Sequence, residues 1–385
     1  MMSSTQPLAG YVVVEIGHSV AAPYAGLILA ELGAEVIKVE NPKGGDSARA
    51  WGPPFIGDMG PHFSAFNRNK ASIAVDLADP EQRDALKALI VDRADVVICN
   101  LRAGSADKLG LGPEALASAK PALVYCELGA FGAGGPLSHK PGYDPLMQAY
   151  CGVMSVTGEN AERPPVRVGV SMVDMGAGLW STIGILASLL SRKQTGEGCR
   201  VETSLFETAV AWVATPMARH LMGGGPQLPQ GSGAAGIVPY QAFRTQTGWL
   251  VIGAGNDKLF AALCKVMERP ELAEDPRFAR NGDRVVNQQE LLPIIVDFAA
   301  GFDSQTLSQM LDRASIPNAP VQTIAQLADD QHARELGLVQ EVDGRRTVGL
   351  PIRFDGERPA YRSAAPSLGE HTEAILSRYI AGVSR

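Results

Sequence analysis

The stretch that most limits what this chain can fold into is residues 169–192, Gly-Val-Ser-Met-Val-Asp-Met-Gly-Ala-Gly-Leu-Trp-Ser-Thr-Ile-Gly-Ile-Leu-Ala-Ser-Leu-Leu-Ser-Arg. From Leu179 to Leu190 it is apolar almost all round, the pattern of a helix buried inside a domain. Asp174 stands where that helix begins. Unpaired backbone N–H groups and the positive end of the helix dipole are expected there to keep a carboxylate ionised. Gly176, Ala177 and Gly178 leave room for a ligand to approach the backbone. Asp174 is then either a nucleophile beside an oxyanion site or an N-cap, and these residues alone leave both open.

A chain of 385 residues with 45% hydrophobic content can bury a large core, and its length suggests two domains. Its 34 basic and 41 acidic residues give a net charge of -7, with no basic block to suggest nucleic acid or an anionic membrane. An anionic ligand must therefore be held locally. Five cysteines, Cys99, Cys126, Cys151, Cys199 and Cys264, show no CxxC spacing, which argues against a disulfide framework or a zinc site. They read as buried thiols in a reducing compartment. With no basic-then-apolar leader and no run of 18 apolar residues, the expectation is a soluble, cytoplasmic protein.

Residues 11–16 read as a strand, 23–32 as a helix with Pro23 in its first turn, and 35–40 as a second, alternating strand. Strand, loop, helix and strand open a parallel α/β sheet. A dinucleotide-binding unit opens the same way, with Glu40 where a ribose-binding acid would stand, but the loop lacks GxGxxG. Residues 41–69, rich in Gly, Pro and aromatics, form a long irregular excursion of the kind usually kept for binding. Further strands are expected at 73–76, 95–99 and 123–128, and helices at 80–92, 114–119 and 146–151. Asn100-Leu101-Arg102-Ala103-Gly104 follows the carboxyl end of a buried parallel strand, where open sheets bind ligands, so Arg102 is well placed for a phosphate. Residues 200–213 look helical, and the glycine-rich run of residues 223–236 reads as a connection or a lid. The expected division is a large domain over residues 1–200, a linker with the glycine-rich segment over 201–236, a smaller α+β domain over 237–330, and a return to the large domain over 331–385. A strand is expected at residues 347–352 in that return.

Six segments in order carry a resemblance: Ile16-Gly-His18-Ser-Val-Ala-Ala-Pro23, Glu35-Val-Ile-Lys-Val-Glu40, Asn67-Arg-Asn-Lys70, Asn100-Leu-Arg102-Ala-Gly104, Gly142-Tyr-Asp-Pro145 and Gly169-Val-Ser-Met-Val-Asp174. Together they resemble the class III CoA-transferases, the family of formyl-CoA transferase, which also contains the 2-methylacyl-CoA racemases. The resemblance implies an interlocked homodimer, with a large Rossmann-like domain that binds CoA. It implies CoA and acyl-CoA as substrates, a small carboxylic acid as partner substrate, and no metal or permanently bound cofactor.

By the same match, the nucleophile falls on Asp174. CoA contacts fall on His18, Ser19, Val20, Ala21, Lys70, Asn100 and Leu101, with a basic residue at Lys108, and Tyr143 matches an aromatic close to the thioester. Asn41 stands where some members place an arginine, which would move phosphate contacts onto Arg102 or Lys43. A glycine-rich flap has an approximate counterpart in residues 231–236. The racemases need a His and a Glu where this chain has Tyr143 and Asn256, neither of which exchanges a proton readily near neutral pH. Transfer of CoA between carboxylic acids is therefore the favoured activity. A racemase and a non-catalytic acyl-CoA binder are the alternatives.

Overall fold

A computed structural model describes residues 6–57 and 59–380. The chain divides into two compact units. The first takes residues up to Val153, Val168–Thr215 and the chain from Gln331 on, and the second takes Met154–Arg167 and Pro216–Asp330.

Six strands build the first unit's sheet, with valine concentrated in β1, β2 and β4: β1 (Val12–Ile16), β2 (Glu35–Glu40), β3 (Lys70–Ala74), β4 (Val96–Cys99), β5 (Val124–Gly129) and β6 (Arg200–Ser204). All pairings are parallel, in the order β3-β2-β1-β4-β5-β6. This is a doubly wound, Rossmann-like sheet. Successive connections leave β1 and β4 in opposite directions, so a crevice opens beyond their carboxyl ends.

Helices cover both faces, which is why the central strands β1 and β4 are buried on both sides and apolar except for Glu15. They are α1 (Ala21–Glu31), α2 (Pro80–Arg93), α3 (Asp144–Tyr150), α4 (Met172–Thr195) and α5 (Leu205–Trp212). On one face Ile28 and Leu29 of α1 and Ile185 and Leu189 of α4 pack with Val13, Val96 and Val124. On the other, Leu86, Leu89 and Ile90 of α2 pack with Val14, Ile37 and Val97, and with Leu376 of the helix Thr372–Ile380. Each such side chain contributes roughly 1.5–3 kcal/mol when fully removed from water. The position of α4 is thus set by the core rather than by the loop that precedes it. Gly178 permits the contact between α1 and α4, since a Cβ there would stand 2.7 Å from the Ala21 carbonyl oxygen.

Three expectations shift. β3 starts three residues early, at Lys70, because its first residues are polar and only Ile73 carries the apolar pattern. The run at 200–213 is not one helix: Arg200-Val-Glu-Thr-Ser alternates as the edge strand β6 before α5 begins. Helix α4 is not buried all round, for Leu179, Trp180, Ile183 and Leu190 are exposed along one side.

In the second unit, β7 (Tyr240–Arg244), β8 (Trp249–Gly253) and β9 (Asn318–Pro320) form an antiparallel sheet with β8 in the middle. Phe243 and Ile252 pack there with Phe260, Leu263, Ile295 and Leu311 from three helices. The glycine-rich run is folded into this unit, where the Gly231 N–H donates to the Gly158 carbonyl at 2.8 Å. In the first unit the hairpin β10 (Val339–Val342) and β11 (Arg345–Val348) turns at Asp343 and Gly344, both at positive φ. The strand expected at 347–352 is the second arm of this hairpin, shifted toward the N-terminus. All five thiols are unpaired; Cys99, Cys126 and Cys264 are buried, Cys151 is half-buried, and Cys199 is exposed rather than buried.

Candidate active site

Beyond the carboxyl ends of β1, β4 and β5 lies a cavity of about 530 Å³ within the first unit. Its floor is a cluster contributed by five elements: Ala21, Leu128, Met147, Val173 and Ala177, and Leu205 and Ala209. His18, Ser19, Ala21, Asn100, Leu101, Arg102, Tyr143 and Asp174 all line it. Residues far apart in sequence therefore meet where the strand order reverses.

Asp174 is the third residue of α4, not its N-cap; that position is Ser171, whose side chain makes no capping bond. The cap comes from another helix. Asp144, almost fully buried on α3, accepts the N–H of Val173 at 2.7 Å and of Asp174 at 3.2 Å, and is held by the Gln148 amide at 2.5 Å. The α4 donors expected to keep Asp174 ionised are thus taken by Asp144. Among the described residues none donates to the Asp174 carboxylate. Burial, with the neighbouring Asp144 charge, pushes its pKa up to about 7. This corrects the expectation of a carboxylate held ionised by the helix end.

Partial enclosure lowers the His18 pKa; Lys38 and Arg102 act in the same direction, against the pull of Asp46. The His18 ring Nδ1 lies 2.9 Å from Ser19 Oγ. Asn100 grips the same loop: its Oδ1 accepts the His18 N–H at 3.0 Å and its Nδ2 donates to the His18 carbonyl at 2.9 Å. Tyr143 is exposed at the start of α3, and Arg102 is exposed on the loop after β4.

Three of the expected CoA contacts do not line the cavity. Val20 is buried in the core. Lys70 is buried, its Nζ bonded to Glu15 at 2.7 Å, the Pro23 carbonyl at 2.8 Å and Asn67 at 2.9 Å, which leaves no donor for a phosphate. Lys108 is exposed but outside the lining, as is Lys43, so of the two proposed phosphate partners only Arg102 faces the cavity. Glu40 is no ribose acid either: it is buried against Arg49, Ser72 and the Asp46 N–H.

The residue reading also missed lining groups on and after β5. Glu127 and Glu202 share Arg200 at 2.6 and 2.9 Å, Glu207 is held by Ser204 Oγ at 2.5 Å, and His139 and Lys140 lie on the loop after β5. The same rule that singled out Arg102, a loop at the carboxyl end of a parallel strand, would have found His139 and Lys140; Glu127 and Glu202 lie within strands and Glu207 in α5, where that rule gives no signal. Asn256 caps the helix Asp257–Val266 by accepting the Leu259 N–H at 2.9 Å, so it is occupied structurally.

Fold and site together define a doubly wound α/β protein whose crevice holds four carboxyls, of which Glu127, Glu202 and Glu207 are paired with neighbouring side chains and Asp174 is not, among the described residues. The sequence profile of CoA-transferase family III matches residues 8–372. The mouse succinyl-CoA:glutarate CoA-transferase is 36% identical over 98% of this chain and 87% of its own length. The succinate–glutarate CoA-transferase of Agrobacterium fabrum is 34% identical over 98% and 96%. A crystal structure of a CAIB/BAIF family protein from Brucella suis superposes with a TM-score of 0.88 at 35% identity, covering 97% of this chain and all of that one. The chain belongs to CoA-transferase family III. It is an enzyme that moves CoA between an acyl-CoA thioester and a free carboxylic acid.

Proposed function

We propose that Asp174 carries the exchange through a covalent aspartyl intermediate. The supporting observation is a carboxyl with no hydrogen-bond partner among the described residues, opening on the cavity at the start of α4. In its ionised form an Asp174 oxygen attacks the donor thioester carbonyl; the C–S bond breaks and CoA thiolate leaves, giving a mixed anhydride. The thiolate then attacks the aspartyl carbon, expelling the donor acid as its carboxylate and forming aspartyl-CoA thioester. The acceptor carboxylate repeats both steps in reverse. Acyl activation is conserved throughout, which is why a carboxylate nucleophile suits the chemistry.

His18, Ser19, Ala21, Asn100, Leu101, Arg102 and Tyr143 are the proposed CoA contacts, with Arg102 at a phosphate. The names of the mouse and Agrobacterium relatives favour small dicarboxylates as donor and acceptor acids. Leu179, Trp180, Ile183 and Leu190 form an exposed apolar stripe along α4, and the proposed cover is a second copy of this chain in an interlocked homodimer. Five unpaired thiols favour a reducing, cytoplasmic setting.

Incubation with succinyl-CoA and a panel of acids, followed by mass spectrometry, tests the substrates. Hydroxylamine or borohydride added during turnover tests the intermediate: derivatised Asp174 is expected, and turnover that never marks Asp174 refutes it.

A further inference from the structure

The loop that leaves β1 is gripped at four backbone polar groups around His18. Lys38 Nζ donates to the Gly17 carbonyl at 2.9 Å, and Asn100 pairs with both the N–H and the carbonyl of His18. Asp46 Oδ1 accepts the Ser19 N–H at 2.9 Å and the Ala48 N–H at 2.9 Å. Ser19 has φ 71, a left-handed conformation that a residue with a Cβ adopts only when its surroundings impose it.

What imposes it is a buried charge cluster beneath the cavity. Lys38 is fully buried and Asp46 nearly so; Asp46 Oδ2 faces Lys38 Nζ at 2.9 Å as an ion pair outside hydrogen-bond alignment. Burial opposes ionisation of Asp46, yet Lys38 and the two N–H donors hold its carboxyl below the ordinary range. Lys38 and Lys70 share Glu15, at 2.9 and 2.7 Å, and Glu40 accepts the Asp46 N–H at 3.0 Å. Glu15 reaches this position only because residue 26 of α1 is glycine, where a Cβ would stand 2.0 Å from Glu15 Oε2. Buried ion pairs are poor sources of stability, since apolar side chains of equal volume commonly serve as well. Their directional hydrogen bonds are what an apolar set cannot supply.

We propose that Asp46, backed by Lys38, is a positioning residue that locks Gly17–Ser19 in the conformation that receives CoA. The proposal rests on the reading that His18 and Ser19 contact CoA. Asp46 touches no substrate; it acts through the Ser19 N–H, and so sets affinity before any chemistry occurs.

Calorimetric titration of CoA into the full chain tests this with Asp46→Asn, Ser19→Gly, the double variant, His18→Ala, and Glu31→Gln as an equally buried pair elsewhere. Asp46→Asn keeps an oxygen for the Ser19 N–H but sets an amide nitrogen against Lys38 Nζ in place of the ion pair; the loosened loop is expected to weaken CoA by about tenfold, the scale of a charge-assisted interaction, and to raise KM for acyl-CoA more than it lowers kcat. Glycine reaches the left-handed region without steric cost, so the Asp46→Asn penalty should shrink in the Ser19→Gly background. Glu31→Gln should lower Tm and leave CoA affinity alone. A folded Asp46→Asn with undiminished affinity, while His18→Ala binds weakly, overturns the proposal and spares the reading beneath it. An Asp46→Asn penalty that persists in full beside Ser19→Gly also overturns it. Undiminished affinity in both Asp46→Asn and His18→Ala removes reading and proposal together. Should Asp46→Asn not fold, hydrogen exchange of the unaltered protein decides: a protected Ser19 amide without ligand supports the lock, and exchange at the free-chain rate rejects it.

Discussion

Asp144 accepts the backbone N–H of Asp174 at 3.2 Å and of Val173 at 2.7 Å, so one carboxylate occupies the helix end that the other would otherwise use. The pair divides two tasks between identical functional groups. Asp144 fixes the start of α4, and among the described residues Asp174 is left without a donor, facing the cavity.

Removing the charge at residue 144 should make Asp174 easier to ionise. Asn in its place keeps an oxygen for the Val173 N–H but relieves the like-charge repulsion that, after burial, raises Asp174. The acid limb of kcat/KM, expected near the Asp174 value of about 7, should move down by on the order of one pH unit in Asp144→Asn. A pH–rate profile of both proteins checks this; an unmoved limb would separate Asp144 from the titration of Asp174.

Asp174→Asn should abolish transfer, retain CoA binding, and stabilise the fold at alkaline pH. The folded-state pKa of Asp174 is raised above its unfolded value, so the native chain loses stability as pH rises from about 4, the unfolded range, through about 7. The variant has no such loss. Its advantage should be absent at the acid end of that window and reach on the order of 4 kcal/mol above it. Thermal melts across pH measure the difference.

Gly178→Ala would force a methyl against the Ala21 carbonyl, 2.7 Å from the ideal Cβ. Separation of α1 from α4 should cost roughly 1–3 kcal/mol, the usual range for overpacking. Because Ala21 and Val173 belong to one cluster beneath the cavity, activity should fall with stability. Denaturant titration and steady-state rates test the two together.

Arg102→Ala should raise KM for acyl-CoA by about tenfold, as expected for losing a charge-assisted bond, whereas Lys43→Ala and Lys108→Ala should leave it unchanged. The salt dependence of KM should also weaken in Arg102→Ala alone.

Trp180→Glu should convert any dimer to a species of half the mass, because Trp180 lies on the exposed apolar stripe of α4. Sedimentation velocity reads this directly.

The sheet was legible because β1, β2 and β4 are short valine- and isoleucine-rich runs followed by turns, and β2 falls at residues 35–40 as expected. β6 escaped notice because an edge strand with one wet side needs no continuous apolar run, and Arg200-Val-Glu-Thr-Ser resembles a polar helix face. Asp174 was found from its own neighbourhood, but its environment was not. The donors at the start of α4 are taken by a residue 30 positions earlier, and nothing local in the sequence encodes that pairing. Lys70 misled for a related reason. Its family position is a matter of order along the chain, while its burial follows from Glu15, 55 residues away.

The chain from Gln331 onward belongs to the first unit. There Asn69 Oδ1 accepts the N–H groups of Arg362 and Ser363, and Arg68 binds both Glu31 and the Val348 carbonyl. During synthesis, the catalytic domain therefore waits, unfinished, while the whole second unit emerges from the ribosome. A premature stop codon just past residue 330 would spare every residue lining the cavity and still deprive the newborn polypeptide of the segment that closes its first half.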